Sequence, residues 1–187
     1  MRIKNKLVQI FSSFRVLKYR LLSTNSGVGK PSVYHPLMLA GQGTITFGNS
    51  VQIGAIASPG FYSGYTYIEA RNPGSSIIIG NNVAINNCFS AVAFSQIIID
   101  DNVLIGTNCS IADTDGHFLQ PEKRNDASPP TAPVHIGENV FLGSNVVVLK
   151  GVNIGKNSVI GNNSVVTKSI PDNVIAAGNP ARVIKSL

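Results

Sequence analysis

Val134–Ile170 reads VHIGENVFLGSNVVVLKGVNIGKNSVIGNNSVVTKSI, and its spacing decides the fold. Ile136, Leu142, Val148, Ile154, Ile160 and Val166 stand six residues apart, and Gly137, Gly143, Gly155 and Gly161 follow four of them. Four residues after each comes Val140, Val146, Val152, Ser158, Ser164 or Ile170. A helical period of about 3.6 cannot hold a strict six, and simple strand alternation would not place Gly or Asn at constant phases. Each hexapeptide therefore reads as a short strand followed by a tight turn, with Asn and Gly tolerating the positive φ that such turns need. Three strands and three turns close one triangular coil. Stacked coils then pair as parallel sheets, with the residues six apart pointing into a prism that no coil could fill alone.

Outward from this stretch the same lattice runs through Phe47 and Ile53, through Ile79, Ile85 and Ala91, and, after a two-residue insertion, through Ile99, Ile105 and Ile111. It stops in IADTDGHFLQPEKRND, Ile111–Asp126, which carries Asp113, Asp115, His117, Glu122 and the pair Lys123-Arg124. A long loop is expected to leave the prism near residues 113–133.

The bounds fit this picture. A chain of 187 residues suits one core, and 43% apolar with 13% charged residues excludes a disordered chain. No run approaches the roughly 20 apolar residues of a membrane-spanning helix, so the body is expected to be soluble. Cys88 and Cys109 are too few for a disulfide scaffold and wrongly spaced for zinc, which suggests a reducing, cytoplasmic setting. The net charge of +6 is local: Arg2, Lys4, Lys6, Arg15, Lys18 and Arg20 precede any acid, and the other nine basic residues balance all nine acids. Basicity thus belongs to a segment and does not indicate a nucleic-acid groove.

That segment places Ile3, Leu7, Ile10, Phe14, Leu17 and Leu21 at alternating steps of four and three, the pattern of an amphipathic helix. The expected division is 1–26, a basic helix, and 27–187, the repeat domain. Two readings of residues 1–24 stay open: peripheral contact with an anionic membrane at its inner face, or docking on the protein's own body or a sister subunit. SGVGKPS is not a P-loop, because Thr24 replaces the first Gly and Pro31 stands where Ser or Thr should follow Lys30.

From roughly residue 35 onward the chain resembles the hexapeptide-repeat acyltransferases, and its last coils are very similar to those of sugar, maltose and galactoside O-acetyltransferases. The resemblance implies an all-β, left-handed parallel β-helix. It also implies a homotrimer with active sites between subunits, and acetyl-CoA as co-substrate with no metal. In that family the catalytic histidine opens the loop, and His117 in DTDGH matches it. A histidine, with an ordinary pKa of about 6.5, suits a base that takes a proton from an acceptor hydroxyl and returns it to a leaving thiolate. Asn86, in AINN, matches the residue that helps place the reacting groups. Ser144, in FLGSN, matches a backbone N–H aimed at the thioester oxygen. Asp113 and Asp115 either orient the imidazole and grip a sugar hydroxyl or close Asx-turns. Glu122 and Arg124 resemble the acidic-basic segment after the histidine. Thr167, Lys168, Arg182 and Lys185 match positions that meet coenzyme A.

Phe141 where an indole is common, the absence of the acidic residues usual near Phe94, and a basic helix in place of the maltose-type N-terminal segment separate the chain from the free-sugar branch. Ile78, Ile98, Val147 and Leu149 should point outward as apolar strips that need a cover. The resulting reading is O-acetylation of a sugar hydroxyl during assembly of a surface polysaccharide such as capsule, O-antigen or exopolysaccharide. Tyr65, with Phe61, Tyr62 and Tyr67, either stacks on the sugar or pads a loop. Other acceptors (an amino-sugar nucleotide, a serine, an antibiotic) are the alternative, and a non-enzymatic scaffold is the remaining class. Zinc hydration of carbon dioxide would have to use His35, His117 and His135, which form no close pair in sequence.

Overall fold

A computed structural model describes residues 2–187. Among these residues the strands fall into three sheets. Sheet A holds Thr44–Phe47, Ser76–Ile79, Gln96–Ile99, Val134–Ile136 and Asn153–Ile154. Sheet B includes Gln52–Ile53, Ala84–Ile85, Leu104–Ile105, Phe141–Leu142 and Val159–Ile160. Sheet C includes Leu37–Ala40, Thr66–Ala70, Ser90–Ala93, Ser110–Ala112, Val147–Val148 and Val165–Val166. The chain visits A, B and C in turn, and each strand pairs in parallel with those one coil away: Ile105 lies between Ile85 and Leu142. This is the expected left-handed parallel β-helix. At its end Val174–Gly178 and Ala181–Ser186 pair antiparallel and close sheet B.

The inward columns carry the core. Ile136, Leu142, Val148, Ile154, Ile160 and Val166 are all fully buried, each burial contributing roughly 1.5–3 kcal/mol. The corners explain the other fixed phase. Asn139, Asn145, Asn157 and Asn163 have φ of 57°, 59°, 61° and 60°, a region Asn tolerates better than most residues. Their side chains also form ladders: Asn145 Nδ2 donates to Asn163 Oδ1 at 3.0 Å, and Asn139 Nδ2 to Asn157 Oδ1 at 3.0 Å. Gly143 is required for a different reason, since a Cβ there would lie 2.4 Å from Asn162 Oδ1 in the next coil.

The N-terminal helix, Arg2–Leu22, docks by the face opposite to the one its pattern suggests. Val8, Ser12, Arg15, Val16 and Tyr19 are half-buried, whereas Leu7, Ile10, Phe14, Leu17 and Leu21 are exposed. Arg15 Nη1 donates to the Phe61 carbonyl at 2.6 Å, and its other amino group donates to that of Gly64. Tyr19 stacks on Tyr65 with ring centroids 4.5 Å apart. Beyond the helix, Thr24 N–H donates to the Leu39 carbonyl and Leu39 N–H to Ser23 Oγ, both at 3.0 Å, which covers the open edge of sheet C. The side chains of Arg2, Ile3, Lys4 and Lys6 lie outside the described residues. Among the described residues no helix is long and apolar enough to cross a membrane.

Candidate active site

The loop begins where the chain leaves sheet C. Its neck is closed, because Ala132 N–H donates to the Asp113 carbonyl at 2.9 Å and Thr114 bridges Thr131 in antiparallel fashion. Asp113 is fully buried and its carboxylate accepts from the N–H of Phe94 at 2.8 Å and of Ser95 at 2.6 Å. Both oxygens are therefore spent on the turn of the preceding coil, and Asp113 is a structural residue, not a sugar ligand. Asp115 reaches Lys150 at 3.2 Å and ties the loop to a neighbouring coil, so it does not orient the imidazole.

His117 is oriented by the main chain. Its Nδ1 lies 2.8 Å from the Arg124 carbonyl, which can only accept, so Nδ1 carries a proton and in the neutral tautomer Nε2 holds the lone pair. The imidazole is exposed, as a base awaiting a substrate should be. Gly116, at φ 76°, sets the turn before it, with its N–H donating to Thr114 Oγ1. Arg124 thus contributes through its carbonyl, while its side chain is exposed. Glu122 sits exposed in the short 3-10 turn Pro121–Lys123, which supports the far side of the loop.

Asn86 occupies another corner, between sheets B and C. In register it stands in a column with Gly54, Gly106, Gly143 and Gly161, a polar side chain set among glycines, with Tyr34 and Ala177 at the ends of the column. It borders a hollow of about 260 Å³ that is also lined by Leu104 and Phe141. Asn86 Oδ1 accepts from Asn87 N–H at 2.7 Å, which leaves its two Nδ2 hydrogens without a protein partner among the described residues. The buried Asn87, which the sequence reading passed over, braces the segment after Gly54: its Oδ1 accepts from Ala55 N–H and its Nδ2 donates to the Ala55 and Pro59 carbonyls, each at 3.0 Å. In the sequence Asn86 is marked by the family match of AINN and by the loss of the corner glycine, whereas nothing there marks Asn87.

Two expected roles are corrected. Ser144 N–H donates to Asn162 Oδ1 at 2.8 Å, and an amide has a single hydrogen, so it is not a free oxyanion donor. The same bond from a corner amide to the next coil recurs at Asn49 with Asn81 and at Asn81 with Asp101, which identifies it as part of the fold. Tyr65 is no open platform for a sugar. One face is covered by Tyr19, and its ring meets Tyr67 edge-on at 6.3 Å, so this aromatic group is the seat of the helix.

Thr167 and Lys168 lie on the corner that bears the loop, in register with Leu149 and Lys150. Arg182 and Lys185 lie on the antiparallel strand of sheet B. All four are exposed, and Lys168, Arg182 and Lys185 have no ion-pair partner among the described residues. His117 and Asn86 belong to different corners, at opposite ends of the sheet C strands, and no residue of the loop lines the hollow beside Asn86. Burial pushes the thiols of Cys88 and Cys109 up, which disfavours the thiolate a nucleophile needs. Among the described residues no group of three or more His, Cys, Asp or Glu converges on a metal-sized space; His35 is buried under the helix seat and His135 pairs with Asp100 at 2.8 Å on sheet A.

Comparison with known proteins adds the chemistry of relatives. A family described as hexapeptide repeat of succinyl-transferase matches residues 96–116 and 133–168, breaking at the loop. The galactoside O-acetyltransferase of Escherichia coli (strain K12) is 46% identical over 114 residues, covering 61% of this chain and 56% of the relative. A solved galactoside acetyltransferase in complex with coenzyme A is 40% identical, with a TM-score of 0.59 over 73% of this chain and 64% of that one. The polySia-specific acetyltransferase NeuO is 30% identical, with a TM-score of 0.59 over 85% of this chain and 67% of that one. The chain spans between half and two thirds of the length of the curated relatives it matches.

Proposed function

Because the chain belongs to the hexapeptide-repeat acetyltransferase family, we propose that it transfers an acetyl group from acetyl-CoA to a hydroxyl of a sugar or glycan, with His117 as general base. The observation that carries this is the bond from His117 Nδ1 to the Arg124 carbonyl, which in the neutral ring leaves Nε2 as an exposed acceptor. Nε2 removes the proton of the acceptor hydroxyl as its oxygen attacks the thioester carbonyl carbon. The carbon–sulfur bond then breaks, and the imidazolium returns the proton to the departing thiolate. Negative charge collects on the thioester oxygen in between. With the Ser144 amide engaged, the unpartnered Nδ2 of Asn86 is the available donor for that oxygen or for the acceptor.

Reacting groups must approach to about 3–3.5 Å, and a single prism holds His117 and Asn86 on separate corners. A symmetric trimer, with one corner of each chain facing a different corner of its neighbour, brings them together; the exposed Ile78 and Leu149 give its prisms apolar surface to cover. Lys168, Arg182 and Lys185, in no ion pair among the described residues, offer cations for the phosphates of coenzyme A. A glycan acceptor is supported by relatives whose names specify a galactoside and polySia, and assembly of a surface polysaccharide in the cytoplasm is the setting this reading favours. Release of free thiol from acetyl-CoA across a panel of sugars and glycans tests it. His117→Ala is expected to lower turnover by roughly 10²–10⁴ while leaving assembly and melting unchanged, because the ring is exposed. Undiminished turnover would remove His117 from the mechanism.

A further inference from the structure

The N-terminal helix carries two unlike faces half a turn apart. The face toward the prism is held by Arg15 on the Phe61 and Gly64 carbonyls and by Tyr19 on Tyr65. The opposite face is an unbroken apolar stripe turned outward, with Ile10, Phe14 and Leu21 exposed by 66%, 68% and 76%, and Leu7 and Leu17 beside them. An amphipathic helix normally turns its apolar stripe to the core, so this orientation leaves apolar area in need of a second partner.

Charge identifies that partner. Lys18 and Arg20 border the stripe on its two sides, both exposed and neither in an ion pair among the described residues. Lys30 is exposed as well, and the sequence contains no acid before Glu69. A second copy of this chain would bring an equally cationic helix against the stripe and be repelled. A lipid surface with anionic headgroups takes both features, the apolar side chains entering the acyl boundary and the cations resting among the headgroups. We infer that this face is a membrane-docking surface for anionic lipid, with the helix seated on the prism by its polar side. Such a contact would hold the enzyme where a lipid-linked glycan is presented, but the docking itself does not depend on the transfer reaction.

Flotation of the full-length protein with vesicles tests the inference. Vesicles of phosphatidylcholine mixed with phosphatidylglycerol should carry the protein upward at low salt and release it as salt rises, and phosphatidylcholine alone should bind at least about tenfold more weakly. The variant Ile10→Ser, Phe14→Ser, Leu17→Ser keeps Arg15 and Tyr19, so it should melt like wild type yet partition at least about a hundredfold more weakly. Its turnover on a soluble acceptor should be unchanged, which separates failure of this inference from failure of the transfer reading. Absent flotation, equal binding to neutral vesicles, or a triple variant that floats like wild type would each overturn the proposal. So would a wild-type assembly that ignores vesicles and loses subunits, by light scattering, when the stripe is substituted; that result would assign the face to a second copy.

Discussion

What a histidine does depends on which of its nitrogens is satisfied, and the three in this chain are satisfied differently. His117 gives its Nδ1 hydrogen to a carbonyl and leaves Nε2 exposed, the nitrogen proposed as the base. His135 is engaged by a carboxylate on the outer face of sheet A. His35 is buried with Nε2 between the Gly60 and Ser63 carbonyls, at 3.2 and 3.1 Å, and its Nδ1 has no partner. Burial holds its pKa below the ordinary value, against the opposing pull of those two carbonyls. The unfolded chain therefore binds a proton here more readily than the folded one. The stability this contributes is fully present above the unfolded pKa of about 6.5 and is lost as pH falls from there through the lower folded value. Melting should accordingly drop as pH falls below about 6.5, already above the ordinary carboxylate range, and His35→Gln should start lower but flatten that slope. An equally steep fall in the variant would assign the slope to other groups.

At the scale of the element, the loop is an attachment and not part of the winding. Its two ends are already joined by the Thr114–Thr131 bridge and by the Ala132–Asp113 bond, while Asp113 finishes a turn of the coil before it. Replacing residues 115–130 with a short Asn-Gly turn should therefore leave the prism folded. The lost Asp115–Lys150 pair is partly exposed and costs at most about 1 kcal/mol, a shift of a few °C in melting. Acetyl transfer should vanish with His117. Circular dichroism and thiol release read the two outcomes, and a collapse of the fold would show that the loop supports the coils. The repeat phases and the break at the loop were legible because six-residue periodicity survives in the side chains themselves. The orientation of the helix was not, since a stripe at steps of three and four says that a face is apolar and not which partner it meets.

On the scale of the whole molecule, the proposed active residues are divided between corners of one prism. His117 and Lys168 share one corner, and Asn86 sits on another beside its own hollow. If neighbouring chains complete each site, two dead enzymes should rescue one another. Asn86→Ala supplies an intact His117, and His117→Ala supplies an intact Asn86. Co-expressed in equal amounts and assembled at random, they should recover roughly a quarter of wild-type turnover, because about one junction in four then joins two intact residues. Thiol release from separately purified parents and from the mixture decides it; a mixture as inactive as its parents would mean that the two residues do not share a site.

The sequence by itself determined the prism, its inward columns, its asparagine corners and the place of the loop, because each of these repeats and the repetition is local. It also marked the loop that carries His117 by a break in the repeat, while the role expected of that histidine came from the family resemblance. Only the tertiary structure decided which polar atoms remain free. The Ser144 amide matched a functional position in sequence, and Asp113 and Tyr65 were open between a functional and a structural role, yet each is occupied by a residue from another coil or from the helix. A hydrogen-bonding group can be counted from its residue type, but whether its capacity is already used depends on what the winding brings within about 3 Å of it, and those neighbours are far away in sequence.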